Sequence, residues 1–322
     1  MKTLAPEAAL DSDRQLGIRI DLGRRIAELT DQDIALLIQV LARHGVICLV
    51  DLPVSPRELQ DFTSRWGEVV VLPAGLALAN QEPGLPSITR VGNIRPDGSI
   101  IPSVRFAEYW HHDGDFWAPG KNFVINFLSC VRVPAVGGNT AFLDTRLAYA
   151  KLDPAQKAGL EGAYIGVRAS EISDFKGAAA HEIPPDARHS VLHPHPMTGE
   201  IALYLPDSST GIQRENGQPW GTVESLIESC QQKVGLLEHA WTEGDLVIID
   251  NLQVMHRGMG GYADYPRLLY RCQARRCCAH RSLMPVPAPP GTDRTAKLIA
   301  PAEPPAPERH GAVARIRVPE RR

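Results

Sequence analysis

Apolar and polar positions change period several times along the chain, and each change marks an element. Leu16 to Leu22 alternates apolar and polar residues, the period of a strand. Thr30 then reads as an N-cap, with Asp31 and Asp33 in the first turn and Gly45 as the stop after His44. Between them Ile34, Leu37, Ile38 and Leu41 fall on one face, the spacing of an amphipathic helix. Val46 to Val50 reads as a buried strand. Ser55-Pro56-Arg57-Glu58 is a capping box with proline at the first helical position, and its helix is expected to reach Trp66 and stop at Gly67.

From Val69 onward the strands shorten and turns multiply. Ser87–Val91, Val124–Val131, Thr140–Leu143, Ile201–Leu205, Asp245–Asp250 and Arg267–Arg275 read as strands, and Arg95-Pro96-Asp97-Gly98 as a turn. Asp144–Leu152, a segment from Asp153 with its own capping box, and Thr222–Val234 read as helices. The expected fold is mainly β with flanking helices, a double-sheet jelly roll (double-stranded β-helix). The expected organisation is a flexible arm over 1–14, a single domain over 15–281, and a proline- and alanine-rich tail over 282–322.

The 322 residues are 43% hydrophobic and 22% charged, enough for a sizeable core. A net charge of −3 with no dense basic block argues against nucleic acid as a partner. No apolar run approaches the length of a membrane span, and the N-terminus lacks the apolar stretch of a signal peptide, so a cytoplasmic location is expected. There, reduced thiols are the default for the six cysteines. Cys277-Cys278 with His280 fits no zinc spacing, and buried or idle thiols are the expectation.

The candidate chemistry centres on Tyr109–Trp117, read as an exposed-end strand. Residues two apart in a strand share a face, so His111 and Asp113 point one way and His112 the other. An imidazole and a carboxylate on one face supply two of the three ligands of a 2-His-1-carboxylate iron site, and His256, just after the apolar run to Asp250, is the candidate third. A lone His-x-Asp is more often a surface or capping pair, and it carries weight here only through the features that accompany it. Asp115 shares the His111 face and is read equally as a second-layer group or a turn residue. His193-Pro194-His195 is read as a loop, His239 as structural, and Tyr109 and Trp117 as pocket lining or core. On the last strand Arg267, Leu269 and Arg271 share a face. Either both arginines are solvated, or the face is interior and both must meet anions.

The ordered set His111-x-Asp113, Gly137-Gly138-Asn139-Thr140, His256, Arg267 and Arg271 resembles the taurine dioxygenase family of iron(II)/2-oxoglutarate-dependent oxygenases. Trp110, the Pro134 to Thr140 loop, His195-Pro196-Met197-Thr198-Gly199 and Gly244-Asp245 to Asp250-Asn251 extend the likeness to roughly residues 15–278. The resemblance implies His111, Asp113 and His256 as iron(II) ligands. It implies Thr140 and Arg267 as the hold on the distal carboxylate of 2-oxoglutarate, and Arg271 as the contact to an anionic group of the primary substrate. Asn139 departs from the aspartate more usual in that loop. The stretch from Val71 to Val91 has no histidine, which argues against taurine as substrate.

The implied reaction uses dioxygen and couples decarboxylation of 2-oxoglutarate, to succinate and carbon dioxide, to oxidation of a small anionic or amino-acid-like metabolite. Hydroxylation is the leading outcome, and tailoring of a natural product fits the Pro196 to Tyr204 segment. Family members that halogenate lack a carboxylate at the position of Asp113. The rival reading is a non-redox, cupin-like metal enzyme or binding module, which has no use for a second anion clamp. Self-association is left open.

Overall fold

The computed structural model describes residues 3–276, apart from 73–79, 103–106, 123, 173–174, 176–178, 207–210 and 263–264; of residue 276 it describes only the backbone. The tail from 282 and the Cys277-Cys278-His280 group lie outside the described residues.

A large sheet forms one wall. From edge to edge it runs Thr3–Leu4, Ile18–Ile20, Val46–Leu49, Leu246–Asp250, Val124–Arg132, Leu268–Arg276, Leu85–Gly92 and Gln81–Glu82, with Gly67–Val69 also paired to Leu268–Arg276. The first three strands are parallel to one another and the other pairings are antiparallel. Facing it is a three-stranded sheet, Leu237–His239, Thr140–Asp144 and Val254–Gly258. A four-stranded and a two-stranded sheet complete the described strands.

The strand alternation explains how the sheets pack. On the large sheet Ile47, Leu49, Ile125, Phe127, Leu246 and Ile248 pack outward, against Leu37 and Leu41 of the helix Asp31–His44 and Leu59 and Phe62 of the helix Pro56–Ser64. Their neighbours Val46, Cys48, Leu128, Cys130, Val247 and Ile249 pack inward, against Phe142 and Val254 of the smaller sheet. Both faces are covered, so these strands read as continuous apolar runs. Phe62, Trp66 and Phe127 meet edge to face at centroid distances of 5.3 to 5.8 Å, the geometry aromatic quadrupoles favour. The far side of the smaller sheet packs Leu143 and Met255 on the helix Val223–Val234. The result is the mainly β jelly roll expected from the sequence.

Most expected elements are present, and their caps are the expected residues. Thr30 and Ser55 each cap a helix through a capping box, and Gly45 ends the first of these at φ 72°. The second helix ends at Ser64, short of Trp66. Three further expectations differ. The stretch read as an arm contains a strand, Thr3–Leu4, and a helix, Pro6–Asp11, whose Ala9 is fully buried in the core. His193 lies in a strand, Leu192–Pro194, where a loop was expected. Tyr109–Trp117 is not a strand: only His111 pairs, through a single bridge to His256, and the chain turns at once over Asp113–Phe116. Gly114, at φ 73°, permits that turn.

Candidate active site

His111 and His256 are joined by reciprocal backbone hydrogen bonds of 3.1 and 3.2 Å. This bridge stitches the His-x-Asp segment to the smaller sheet and sets the two imidazoles side by side, centroids 4.3 Å apart. The Tyr109 carbonyl oxygen lies 2.9 Å from His111 Nδ1. That contact places the proton on Nδ1 and leaves the Nε2 lone pair free, the tautomer a metal ligand needs. Burial, with His256 beside it, pushes the His111 pKa down to about 4, so the ring is neutral near pH 7.

Asp113 completes the group. One ligand atom from each of His111, Asp113 and His256 lies within 4.8 Å of the others. Asp113 Oδ1 accepts a 2.7 Å hydrogen bond from Arg271 Nη1, while Oδ2 lies 3.5 Å from His256 Nε2. Burial is the largest influence and works to raise the Asp113 carboxyl, but the Arg271 guanidinium together with the imidazoles of His256 and His111 outweighs it and holds the group well below the usual carboxylate range. An ionised carboxylate and two imidazoles converge here, and Asp113 Oδ2 is buried without a hydrogen-bond donor. The donor set fits a divalent cation that favours nitrogen and oxygen, and leaves coordination positions for other ligands.

The same cavity is lined by Thr140, Arg267 and Arg271, with apolar Val91, Leu128 and Leu269 between them. Arg267 is 5% exposed. Its backbone N–H donates to Asn93 Oδ1 (2.8 Å), its Nε to the Gly138 carbonyl (3.1 Å), and Tyr262 lies beneath its guanidinium at 5.3 Å. Among the described residues no carboxylate lies within salt-bridge distance of it. Thr140 Oγ1 accepts a 3.0 Å hydrogen bond from Trp241 Nε1, which leaves its own O–H free to donate. Gly138 lets the loop pass close to the arginine: a Cβ there would lie 3.1 Å from Arg267 Cδ and Nε. Asn139 is engaged elsewhere, donating to Glu238 Oε1 at 2.6 Å.

The remaining candidates fall outside this cavity. His112 is buried, stacked on Tyr204 at 4.6 Å, with Nδ1 2.6 Å from the Asn251 carbonyl oxygen. His195 Nε2 is 2.9 Å from Asp250 Oδ2. The carbonyl of Asp115 accepts from His189 Nε2, which suits a turn role. The Tyr109 ring is half exposed, 5.2 Å from that of His111, and Trp117 packs with Phe116. A second cluster, Cys48, His239 and Asp245, has similar spacing. There Asp245 is already served by His239 (3.2 Å) and the Thr242 N–H (3.0 Å), and burial pushes the Cys48 thiol up to about 12. A protonated thiol and an occupied carboxylate make a structural hub. Sequence reasoning gave Trp241 no role, counted Asn251 only as part of the resemblance, and missed the Arg271–Asp113 pair. Each depends on contacts between segments far apart in the chain.

The model of the family described as taurine catabolism dioxygenase TauD, TfdA matches residues 12–273. The chain belongs to this family. TauD/TfdA proteins are oxidoreductases that use iron(II), 2-oxoglutarate and dioxygen. An alpha-ketoglutarate-dependent 2,4-dichlorophenoxyacetate dioxygenase of Cupriavidus pinatubonensis is 26% identical over 244 residues, covering 68% of this chain and 80% of that protein. Pentalenolactone F synthase of Streptomyces arenae is 26% identical over 222 residues, 63% of this chain and 72% of the relative. The crystal structure of AAD-2 in complex with Mn(II) and N-oxalylglycine superposes with a TM-score of 0.68 at 22% identity, over 79% of this chain and 93% of the other. That likeness is one of fold. None of the described helices is long and apolar enough to cross a membrane.

Proposed function

We propose that this TauD/TfdA-family oxygenase hydroxylates a small anionic or amino-acid-like metabolite, with His111, Asp113 and His256 as the iron(II) ligands. Thr140 and Arg267 hold the distal carboxylate of 2-oxoglutarate, and Arg271 meets the anionic group of the substrate. Bound iron(II) supplies the activation of dioxygen, coupled to decarboxylation of the 2-oxo acid. The chain supplies placement. Neutral His111 offers a lone pair, ionised Asp113 offers charge, and Val91, Leu128 and Leu269 keep the cavity apolar around the reacting groups.

The observation that carries this reading is Arg267. A buried guanidinium costs several kcal/mol unless an anion meets it; among the described residues no carboxylate does so, and this guanidinium faces the same cavity as the three ligands. The planar fork of arginine, beside a hydroxyl free to donate, suits a carboxylate. A metal site without redox chemistry has no need of such a clamp. The relatives include both a dioxygenase of an aryloxy acid and a synthase, which suits a carboxylate-bearing substrate and leaves natural-product tailoring in play.

The test is turnover. Iron-loaded protein is given 2-oxoglutarate, air and a panel of small carboxylic and amino acids. The proposal expects succinate release to rise with an anionic compound, which gains one oxygen by mass. Absence of 2-oxoglutarate consumption, with iron demonstrably bound and any compound present, contradicts it.

A further inference from the structure

We propose that Asn251 is a positioning residue that holds the Asp113 peptide in place relative to His256. The inference rests on reading His111, Asp113 and His256 as metal ligands, and it concerns how the chain presents them.

Asp113 lies in a turn, beyond the single bridge made by His111, so its peptide groups have no strand neighbour. The Asn251 side chain replaces one. Its Oδ1 accepts from the Asp113 N–H at 2.8 Å and its Nδ2 donates to the Asp113 carbonyl at 2.8 Å. A primary amide presents its C=O and one N–H side by side, as a strand residue presents its own N–H and C=O, so it can pair with one main-chain residue as a neighbouring strand does. The main chain of Asn251 adds a third tie, its carbonyl lying 2.6 Å from His112 Nδ1. Asn251 directly follows the strand Leu246–Asp250, and the turn it opens leads into Val254–Gly258, which carries His256. One residue therefore joins the peptide of one proposed ligand to the turn that leads into the strand of another.

The amide is held in one orientation. Asn126 Nδ2 lies 3.5 Å from Asn251 Oδ1, and Gln273 Nε2 donates to Asn126 Oδ1 at 2.7 Å. Asn126 and Gln273 lie opposite each other on adjacent strands of the large sheet. Asn251 and Asn126 are fully buried and Gln273 is nearly so. Three buried amides, two in the sheet and one in the turn beside it, are costly unless each is satisfied. Here they form a row that ends on the Asp113 peptide. Aspartate at 251 would set an acceptor against the Asp113 carbonyl, and leucine would offer neither bond.

The test uses cobalt(II), a spectroscopic stand-in for iron(II), titrated into the full-length metal-free protein. The readouts are the dissociation constant and the visible ligand-field bands. Asn251→Ala is expected to fold with reduced melting temperature, to bind cobalt(II) about 10- to 100-fold more weakly, and to shift the bands. Gln253→Ala is the stability control. Gln253 is equally buried and bonds Asp250 Oδ2 at 2.9 Å and the Leu41 carbonyl at 3.3 Å. It is expected to lose stability while binding cobalt(II) as the parent does. Should Asn251→Ala fail to fold, Asn126→Ala, which frees the Asn251 amide to turn, is expected to weaken cobalt(II) binding several-fold. Parent-like affinity and bands in the folded variant overturn the proposal, as does equal metal loss in Gln253→Ala. Failure of the parent itself to bind cobalt(II) overturns the metal-site reading, and this inference with it.

Discussion

Arg271 Nη1 lies 2.7 Å from Asp113 Oδ1, so the arginine proposed to meet the substrate is also the partner of a proposed metal ligand. A substrate anion arriving at Arg271 competes with Asp113 for the guanidinium, which couples substrate binding to the metal centre. Arg271→Leu is expected to raise the KM of an anionic substrate roughly 10- to 100-fold, the worth of a charge-assisted hydrogen bond. Its 2-oxoglutarate affinity is expected to stay within about twofold of the parent. Calorimetry with each ligand separates the two, and an equal loss of both contradicts the division of labour.

Trp241 is expected to act on 2-oxoglutarate through the contact proposed for Thr140. Its Nε1 donates to Thr140 Oγ1 at 3.0 Å and directs the threonine proton elsewhere. Trp241→Phe keeps most of the buried surface and removes that donor. A neutral hydrogen bond is worth about 1 kcal/mol, so 2-oxoglutarate binding is expected to weaken about fivefold. Unchanged affinity by calorimetry shows that the Trp241 bond does not set the threonine's hold on 2-oxoglutarate.

Gly138 is required by both space and conformation. Its φ is +77°, and a Cβ would meet Pro134 Cγ at 2.7 Å and Arg267 Nε at 3.1 Å. Gly138→Ala is expected to cost about 1–3 kcal/mol of stability and to weaken 2-oxoglutarate binding by on the order of 10-fold, as Arg267 is displaced. Thermal unfolding and ligand titration on one sample check both. A destabilised variant with full affinity shows that the loop does not set the arginine.

His44 makes stability depend on pH. It is buried at the end of the helix Asp31–His44, with ring nitrogens 3.1 Å from the Gln15 carbonyl and 3.0 Å from that of Ala9. Burial outweighs those carbonyls and lowers its pKa from the ordinary 6.5. The unfolded chain therefore binds the proton more readily than the folded one. Stability is full above about pH 6.5 and falls as pH drops towards the folded value. His44→Leu is expected to flatten the fall in melting temperature between about pH 7 and 5. A parent-like slope in that variant assigns the dependence to other histidines.

Local signals made much of this legible in the sequence. Thr30, Ser55 and Gly45 announced helix ends because capping is a property of a few neighbouring residues. The apolar runs at Val46 and Leu246 announced strands because both sheet faces are covered. His111 and Asp113 do converge with His256, although the strand argument for them fails at Gly114. What the sequence hid is non-local. Nothing near Asn251 in the chain says that its amide pairs with Asp113, and nothing near Trp241 says that it bonds Thr140. The burial of Ala9 was equally hidden, because Pro6–Asp11 is too short for a helical period to show.

The central claim is one cavity holding both a metal and a 2-oxo acid, and it can be tested without knowing the substrate. Iron(II) and 2-oxoglutarate are added to the protein without oxygen, and the visible spectrum is recorded. Chelation of iron(II) by a 2-oxo acid gives a weak metal-to-ligand charge-transfer band. The band is expected in the parent, absent in His256→Ala, and present in Arg267→Ala only at 2-oxoglutarate concentrations on the order of 100-fold higher. Iron demonstrably bound with no band at saturating 2-oxoglutarate contradicts the account.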